Sequence, residues 1–167
     1  MNLIVNVTKN WGIGYKNRLL VSISQDLRRF RGLTEGKTVI LGRKTLETFP
    51  GGLPLKNRNN IILSSNPDFR VEGARVVHNR GELKQALKDV PADDIWVIGG
   101  ASIYEELLPY CCRACVTMTD TELPADRFFP NLDKHPEWVL ESESPVMTEK
   151  NLSFRYLDYL NKNPKEL

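Results

Sequence analysis

Hydrophobic positions fall into two periods along this chain. Leu3 to Val7, Lys37 to Gly42, Asn60 to Leu63, Ala74 to His78 and Ile95 to Ile98 are short apolar stretches of the kind that make buried strands. Ser22 to Leu33, Arg43 to Phe49, Glu82 to Lys88 and Ile103 to Leu108 read as helices set between or after them. Further on the period is two: Ala114 to Thr121 alternates Val116 and Met118 with Thr117 and Thr119. Trp138 to Glu143 and Leu152 to Leu160 read as two more strands, joined by a polar, proline-containing connection, hence an antiparallel finish. The pattern predicts an α/β fold, a single domain over residues 1–160. Its central, mostly parallel sheet has eight strands, with an antiparallel C-terminal strand and about four flanking helices. Residues 161–167 are expected to fray.

One helical position breaks the pattern. At about 100° per residue, Phe30 lies about 40° and Leu33 about 20° from Asp26, so an acid points with the apolar stripe, while Arg28 takes the opposite face. A carboxylate on a buried face must be hydrogen-bonded, paired or functional. The alternative is a first-turn charge favouring the helix dipole, with Ser22 or Ser24 as cap.

Two strand ends carry a second signal. Val39-Ile40-Leu41-Gly42 runs straight into Arg43-Lys44-Thr45, and Val97-Ile98-Gly99-Gly100 into Ala101-Ser102. Each is a strand, a glycine turn and a helix start, which offers free backbone N–H groups and the positive dipole end to a phosphate. Two such turns suggest a dinucleotide with separated phosphates, although neither is a GxGxxG fingerprint or a Walker sequence. Ser64-Ser65 places hydroxyls at a third strand's carboxyl end.

Composition narrows the picture. Of 167 residues, 41% are apolar and 26% charged, ordinary globular values. A net charge of +2 gives no argument for nucleic acid or a membrane surface, so any anion site is local. The start MNLIVNVTKN reads as a first strand rather than a signal peptide, no stretch has the roughly 20 apolar residues of a membrane helix, and the cytoplasm is the expected compartment. Cys111, Cys112 and Cys115 lack histidines at ligand spacing and read as packing residues; no metal is expected.

These stretches occur in one order: Trp11-Gly12-Ile13-Gly14, Asp26-Leu27 with Phe30, Val39 to Thr45, Asn60-Ile61-Ile62-Leu63-Ser64-Ser65, Val97 to Ala101, and Asp126-Arg127-Phe128-Phe129-Pro130. In that order the chain resembles the dihydrofolate reductases of bacterial chromosomal type. The resemblance implies NADPH-dependent reduction of 7,8-dihydrofolate by hydride transfer to carbon 6, with protonation at nitrogen 5. It also implies sensitivity to antifolates such as diaminopyrimidines. A monomer is expected because no exposed apolar stripe is left over once the core is assigned. Asp26 would hold the pterin 2-amino group and ring nitrogen 3, supported by Thr117. Val5, Leu27, Phe30, Phe49 and Leu55 would line the pterin and aminobenzoyl slot, and Arg58, assisted by Arg31, would grip the glutamate α-carboxylate. On the cofactor side it implies a lid from Trp11 to Val21 with Ile13, Gly14, Asn17, Arg18 and Leu19 toward the nicotinamide, near Asn6, and Asp126 bracing the lid. Gly42, Thr45, Ala101, Ser102, Ile103 and Tyr104 would bind the cofactor, with Gly99 and Gly100 approaching its pyrophosphate. Arg43, Lys44, Ser64 and Ser65 would receive the 2′-phosphate.

The chain departs from the family's usual residues at Leu20-Val21, where Pro-Trp is common, at Ser24, usually proline, and at Asn6, usually alanine. A pyrimidinone reductase of the riboflavin pathway shares the architecture but needs neither Asp26 nor Arg58. An idle pterin- or nucleotide-binding module would leave Asp26 as a stability cost without use.

Overall fold

The computed structural model describes all 167 residues. Its strands are β1 (Asn2–Thr8), β2 (Gly12–Tyr15), β3 (Arg18–Leu19), β4 (Thr38–Gly42), β5 (Asn59–Leu63), β6 (Ala74–Val77), β7 (Ile95–Gly99), β8 (Arg113–Thr119), β9 (Arg127–Phe128), β10 (Trp138–Glu143), β11 (Met147–Glu149) and β12 (Leu152–Asn161). The helices are α1 (Ser24–Thr34), α2 (Arg43–Glu47), α3 (Arg80–Leu87) and α4 (Ala101–Leu107).

The main sheet runs β10-β12-β8-β1-β7-β4-β5-β6, with β11 added to β12. From β8 to β6 all neighbours are parallel, and β12 closes antiparallel on β8. The parallel strands are apolar on both faces because each face is covered. One face holds a core of 25 buried residues that includes Leu3, Val5, Val7, Leu83, Ile103, Tyr104 and Leu107. The other holds only seven (Ile4, Val39, Leu41, Leu46, Ile62, Trp96 and Cys115), with Phe30 and Leu33 of α1 laid against them. On the α1 side the cover is thin: only Thr34 of α1 is fully buried, and Leu27 is 54% exposed.

Three expectations change. The sheet has a ninth strand, β11, inside the polar connection, turned back at Lys150 (φ 50°) and Asn151 (φ 67°). The segment from Trp11 to Val21, expected as a lid loop, contains a second hairpin, β2–β3, turned at Lys16 (φ 49°) and Asn17 (φ 62°), and joined by β9 into a three-stranded sheet. Positive φ at both central residues is the pattern of type I′ turns, whose twist matches that of paired strands. The C-terminal tail is tethered rather than frayed: Lys162 N donates to Glu137 O, Lys165 N to Pro109 O, and Leu167 packs on the larger core.

Candidate active site

Asp26 sits in the first turn of α1, but it does not cap the helix. Neither serine caps it either; Ile23 is the cap residue and gives no side-chain bond. That work is done from β11: Glu149 accepts from the backbone N–H of Ser24 (2.6 Å) and of Gln25 (3.2 Å). Asp26 is thereby free to turn toward the sheet, where Thr117 Oγ1 donates to Oδ1 at 2.6 Å and Asn6 Nδ2 to Oδ2 at 3.0 Å. Burial pushes the Asp26 carboxyl up from its ordinary value, opposed by the Thr117 and Asn6 hydrogen bonds and by the Arg29 guanidinium. Arg29 lies 4.0 Å over the Tyr156 ring and 3.8 Å from Asp158, so it is fixed beside the acid.

The strand register explains this meeting. Asn6 on β1 pairs with Thr117 on β8, and Thr8 with Thr119, so Asn6, Thr117 and Thr119 share the face toward α1. Ile4 also belongs to that face, whereas Val5 packs in the larger core on the other side. The structure therefore does not bring the Val5 side chain to Asp26; a strand apolar on both faces gave no alternation by which to choose between Val5 and Ile4. Asn6, expected toward the nicotinamide, bonds the acid instead.

The remaining substrate-side candidates lie on the same face of the sheet as α1. Phe30, Phe49 and Leu55 pack against the smaller core, and Leu27 stands exposed one residue past the acid. Buried Asn60 pins the Leu55 backbone through both its N–H (3.0 Å) and its carbonyl (2.9 Å). Arg58 is held at the far end of the helix: Nε donates to Lys56 O (2.8 Å) and Nη1 to Thr34 Oγ1 (3.2 Å). Burial lowers its pKa. Asp26 and Thr34 are eight residues apart, a rise of about 12 Å along the helix between the acid's position and the residue that holds the guanidinium. Arg31 is exposed and paired with Glu35 at 3.6 Å.

The two glycine turns end β4 and β7, neighbouring parallel strands. A Cβ on Gly42 would stand 3.0 Å from Ile103 Cγ1 and 4.0 Å from Gly100 N, and one on Gly100 would stand 3.1 Å from Thr45 Oγ1. Side chains at these positions would thus fill the space where the turns meet. Gly99 has φ +133°, which favours glycine, and the Gly99–Gly100 peptide is cis. Neither α2 nor α4 has a side-chain cap. Ala101 and Ser102 open α4, while the side chains of Ile103 and Tyr104, expected at the cofactor, are core: Tyr104 Oη donates to Ile4 O at 2.6 Å, and burial raises its pKa far above the ordinary value.

Arg43 lies 4.4 Å over the Phe69 ring and 3.5 Å from Glu47, with Lys44 exposed beside it. Ser64 Oγ accepts from Asn66 N at 3.3 Å, and Ser65 is exposed. In the β2–β3 hairpin Ile13 and Gly14 are half-buried and Asn17, Arg18 and Leu19 exposed. Asp126 clamps the hairpin from below, accepting from Lys16 N and donating its own N–H to Gly14 O, both at 3.0 Å.

The fold is that of an α/β protein with paired glycine turns of the kind that receive a dinucleotide, beside a half-buried acid. Comparison gives the family. The dihydrofolate reductase family model matches residues 1–161. The dihydrofolate reductase of Bacillus subtilis is 36% identical over 98% of this chain and 95% of its own length. That of Mycobacterium tuberculosis is 36% identical over 82% and 83%. Among solved structures, Enterococcus faecalis dihydrofolate reductase complexed with NADP(H) and RAB-propyl superposes with a TM-score of 0.84, 30% identity and coverage of 97% and 96%. The chain belongs to the dihydrofolate reductase family.

Proposed function

We propose that this chain reduces 7,8-dihydrofolate to 5,6,7,8-tetrahydrofolate with NADPH, in support of one-carbon metabolism and of thymidylate and purine synthesis, and that it does so as a cytoplasmic monomer whose working domain is residues 1–160. The observation that carries this reading is the Asp26 carboxylate, turned from its helix terminus onto Thr117 and Asn6, on the same helix whose Thr34 holds Arg58.

The carboxylate accepts from the pterin 2-amino group and ring nitrogen 3 and fixes the ring in the slot beside Phe30, Phe49 and Leu55. Arg58, its guanidinium plane already held by Lys56 O and Thr34 Oγ1, meets the glutamate α-carboxylate with little further ordering. The residues present fit NADPH. Gly42 and Gly100 leave the crowded junction open to phosphate, the α2 and α4 termini are uncapped, and Arg43, Lys44, Ser64 and Ser65 suit the 2′-phosphate. When bound, NADPH supplies the hydride for carbon 6. Nitrogen 5 takes its proton from water, because Asp26 holds the opposite edge of the pterin; the carboxylate acts by orienting and polarising the ring.

Asp26→Asn is the direct test. Turnover at neutral pH is expected to fall about 10²–10⁴-fold, with part of the loss regained at low pH, where solvent protons reach nitrogen 5 more often. Unchanged turnover at neutral pH would overturn the assignment.

A further inference from the structure

Asn6 is the one polar side chain on β1 that faces α1 beside the acid, and its amide has two partners, not one. Thr119, fully buried on β8, donates its hydroxyl to Asn6 Oδ1 at 2.9 Å. The Asp26 carboxylate can only accept, so the amide turns its amino group to Oδ2, and the Thr119 hydroxyl donates to the carbonyl left on the other side. Both carboxylate oxygens then have a donor from the sheet, Thr117 on Oδ1 and Asn6 on Oδ2. We infer that Asn6, braced by Thr119, is a positioning residue for Asp26: it holds the carboxylate in its ionised form and in one rotation, so that the acid meets its ligand ready to accept two hydrogen bonds.

The proposal rests on the reading of Asp26 as the substrate-holding acid, but the geometry on which it stands is that of the ligand-free site. A donor on Oδ2 favours the charged carboxylate over the neutral acid. It thereby opposes the burial that pushes this carboxyl up. The other groups facing Asp26 are accounted for. Arg29, from its own helix, also favours the anion, and Tyr104 from α4 and Tyr156 from β12 are both held neutral by burial, with the nearby Asp26 charge adding to that. Thr117 supplies the only other hydrogen bond to the carboxylate. Rotation matters as much as charge. With Thr117 alone, the carboxylate can pivot about that single bond. With Asn6 as second donor its plane is fixed, which is what paired recognition of a heterocycle edge requires.

The test is the titration of the Asp26 carboxyl in the full-length, ligand-free protein, followed by ¹³C NMR of labelled aspartate and assigned with Asp26→Asn. In Asn6→Ala the midpoint is expected to rise by about one pH unit, roughly tenfold in ionisation constant. In Thr119→Val, which keeps the shape but frees the amide, a smaller rise in the same direction is expected. An unmoved midpoint in a cooperatively melting Asn6→Ala protein would overturn the proposal. Should Asn6→Ala not fold, Thr119→Val decides: a rise supports the positioning role and an unchanged midpoint contradicts it. This readout needs neither cofactor nor substrate. A rise without dihydrofolate turnover would thus keep the Asn6 assignment and sink only the proposed reaction, whereas turnover with an unmoved midpoint would do the reverse.

Discussion

At the scale of single residues, the site is an arrangement of hydrogen bonds that fixes two charged groups, an acid and an arginine. Asp26 is anchored by Thr117 and Asn6, and Arg58 by Lys56 O and Thr34 Oγ1. Thr34 is itself tied to the helix, donating to Phe30 O at 2.8 Å, so the arginine's position is fixed by the helix that carries the acid. Replacing Arg58 with Leu removes a charge-assisted contact of about 2–3 kcal/mol, which is roughly 30- to 150-fold in KM for dihydrofolate. A bare dihydropterin, lacking the glutamate, should keep its KM. Steady-state kinetics on both substrates checks this, and equal losses would contradict the assignment. Asp26 was legible in the sequence because helical periodicity exposes an acid on an apolar stripe. The choice between Ile4 and Val5 was not, since β1 is apolar on both faces. Nor was the partner of Asn6, because cross-strand register is invisible in one chain read linearly.

At the scale of elements, the helix that bears the acid depends on a distant hairpin. Ser24 has a backbone N–H to satisfy, and Glu149 of β11 satisfies it along with that of Gln25. These bonds hold the Glu149 carboxyl below the ordinary range, the Ser24 bond foremost. A carboxyl so depressed contributes stability that is present above its unfolded-state pKa and is lost as pH falls through the folded value. Glu149→Ala is therefore expected to melt a few degrees below the parent at neutral pH, with the gap closing below about pH 4. Thermal melts across that range decide it, and equal Tm at neutral pH would refute the cap. A contact spanning 125 residues leaves no local signal. The two hairpins were hidden for a different reason. Lys16-Asn17 and Lys150-Asn151 adopt the φ > 0 turns that glycine usually announces, and lysine announces nothing. The Gly42 and Gly99-Gly100 turns were readable because glycine between a buried strand and a helix start has few other uses.

At the scale of the whole molecule, the two faces of the sheet are unequal. A core of 25 buried residues under α3 and α4 carries the fold, and the seven-residue core under α1 leaves Leu27 exposed beside Asp26. The glycine turns stand at the carboxyl ends of β4 and β7, at one end of the parallel strands, where open α/β sheets place their ligands. No helix is long and apolar enough to cross a membrane. Alternating strands and helices made this architecture legible. The tethered tail was not, because Lys165 is held by a backbone carbonyl, that of Pro109, which any sequence would supply. Hydride transfer from NADPH to dihydrofolate is followed by loss of the NADPH absorbance band with purified protein and dihydrofolate. Turnover is expected to be blocked by a diaminopyrimidine and slower with NADH by about 30- to 150-fold in kcat/KM, the worth of the charged contacts to the 2′-phosphate. No dihydrofolate-dependent loss of the band from protein that binds NADPH, or equal rates with NADH, would contradict it.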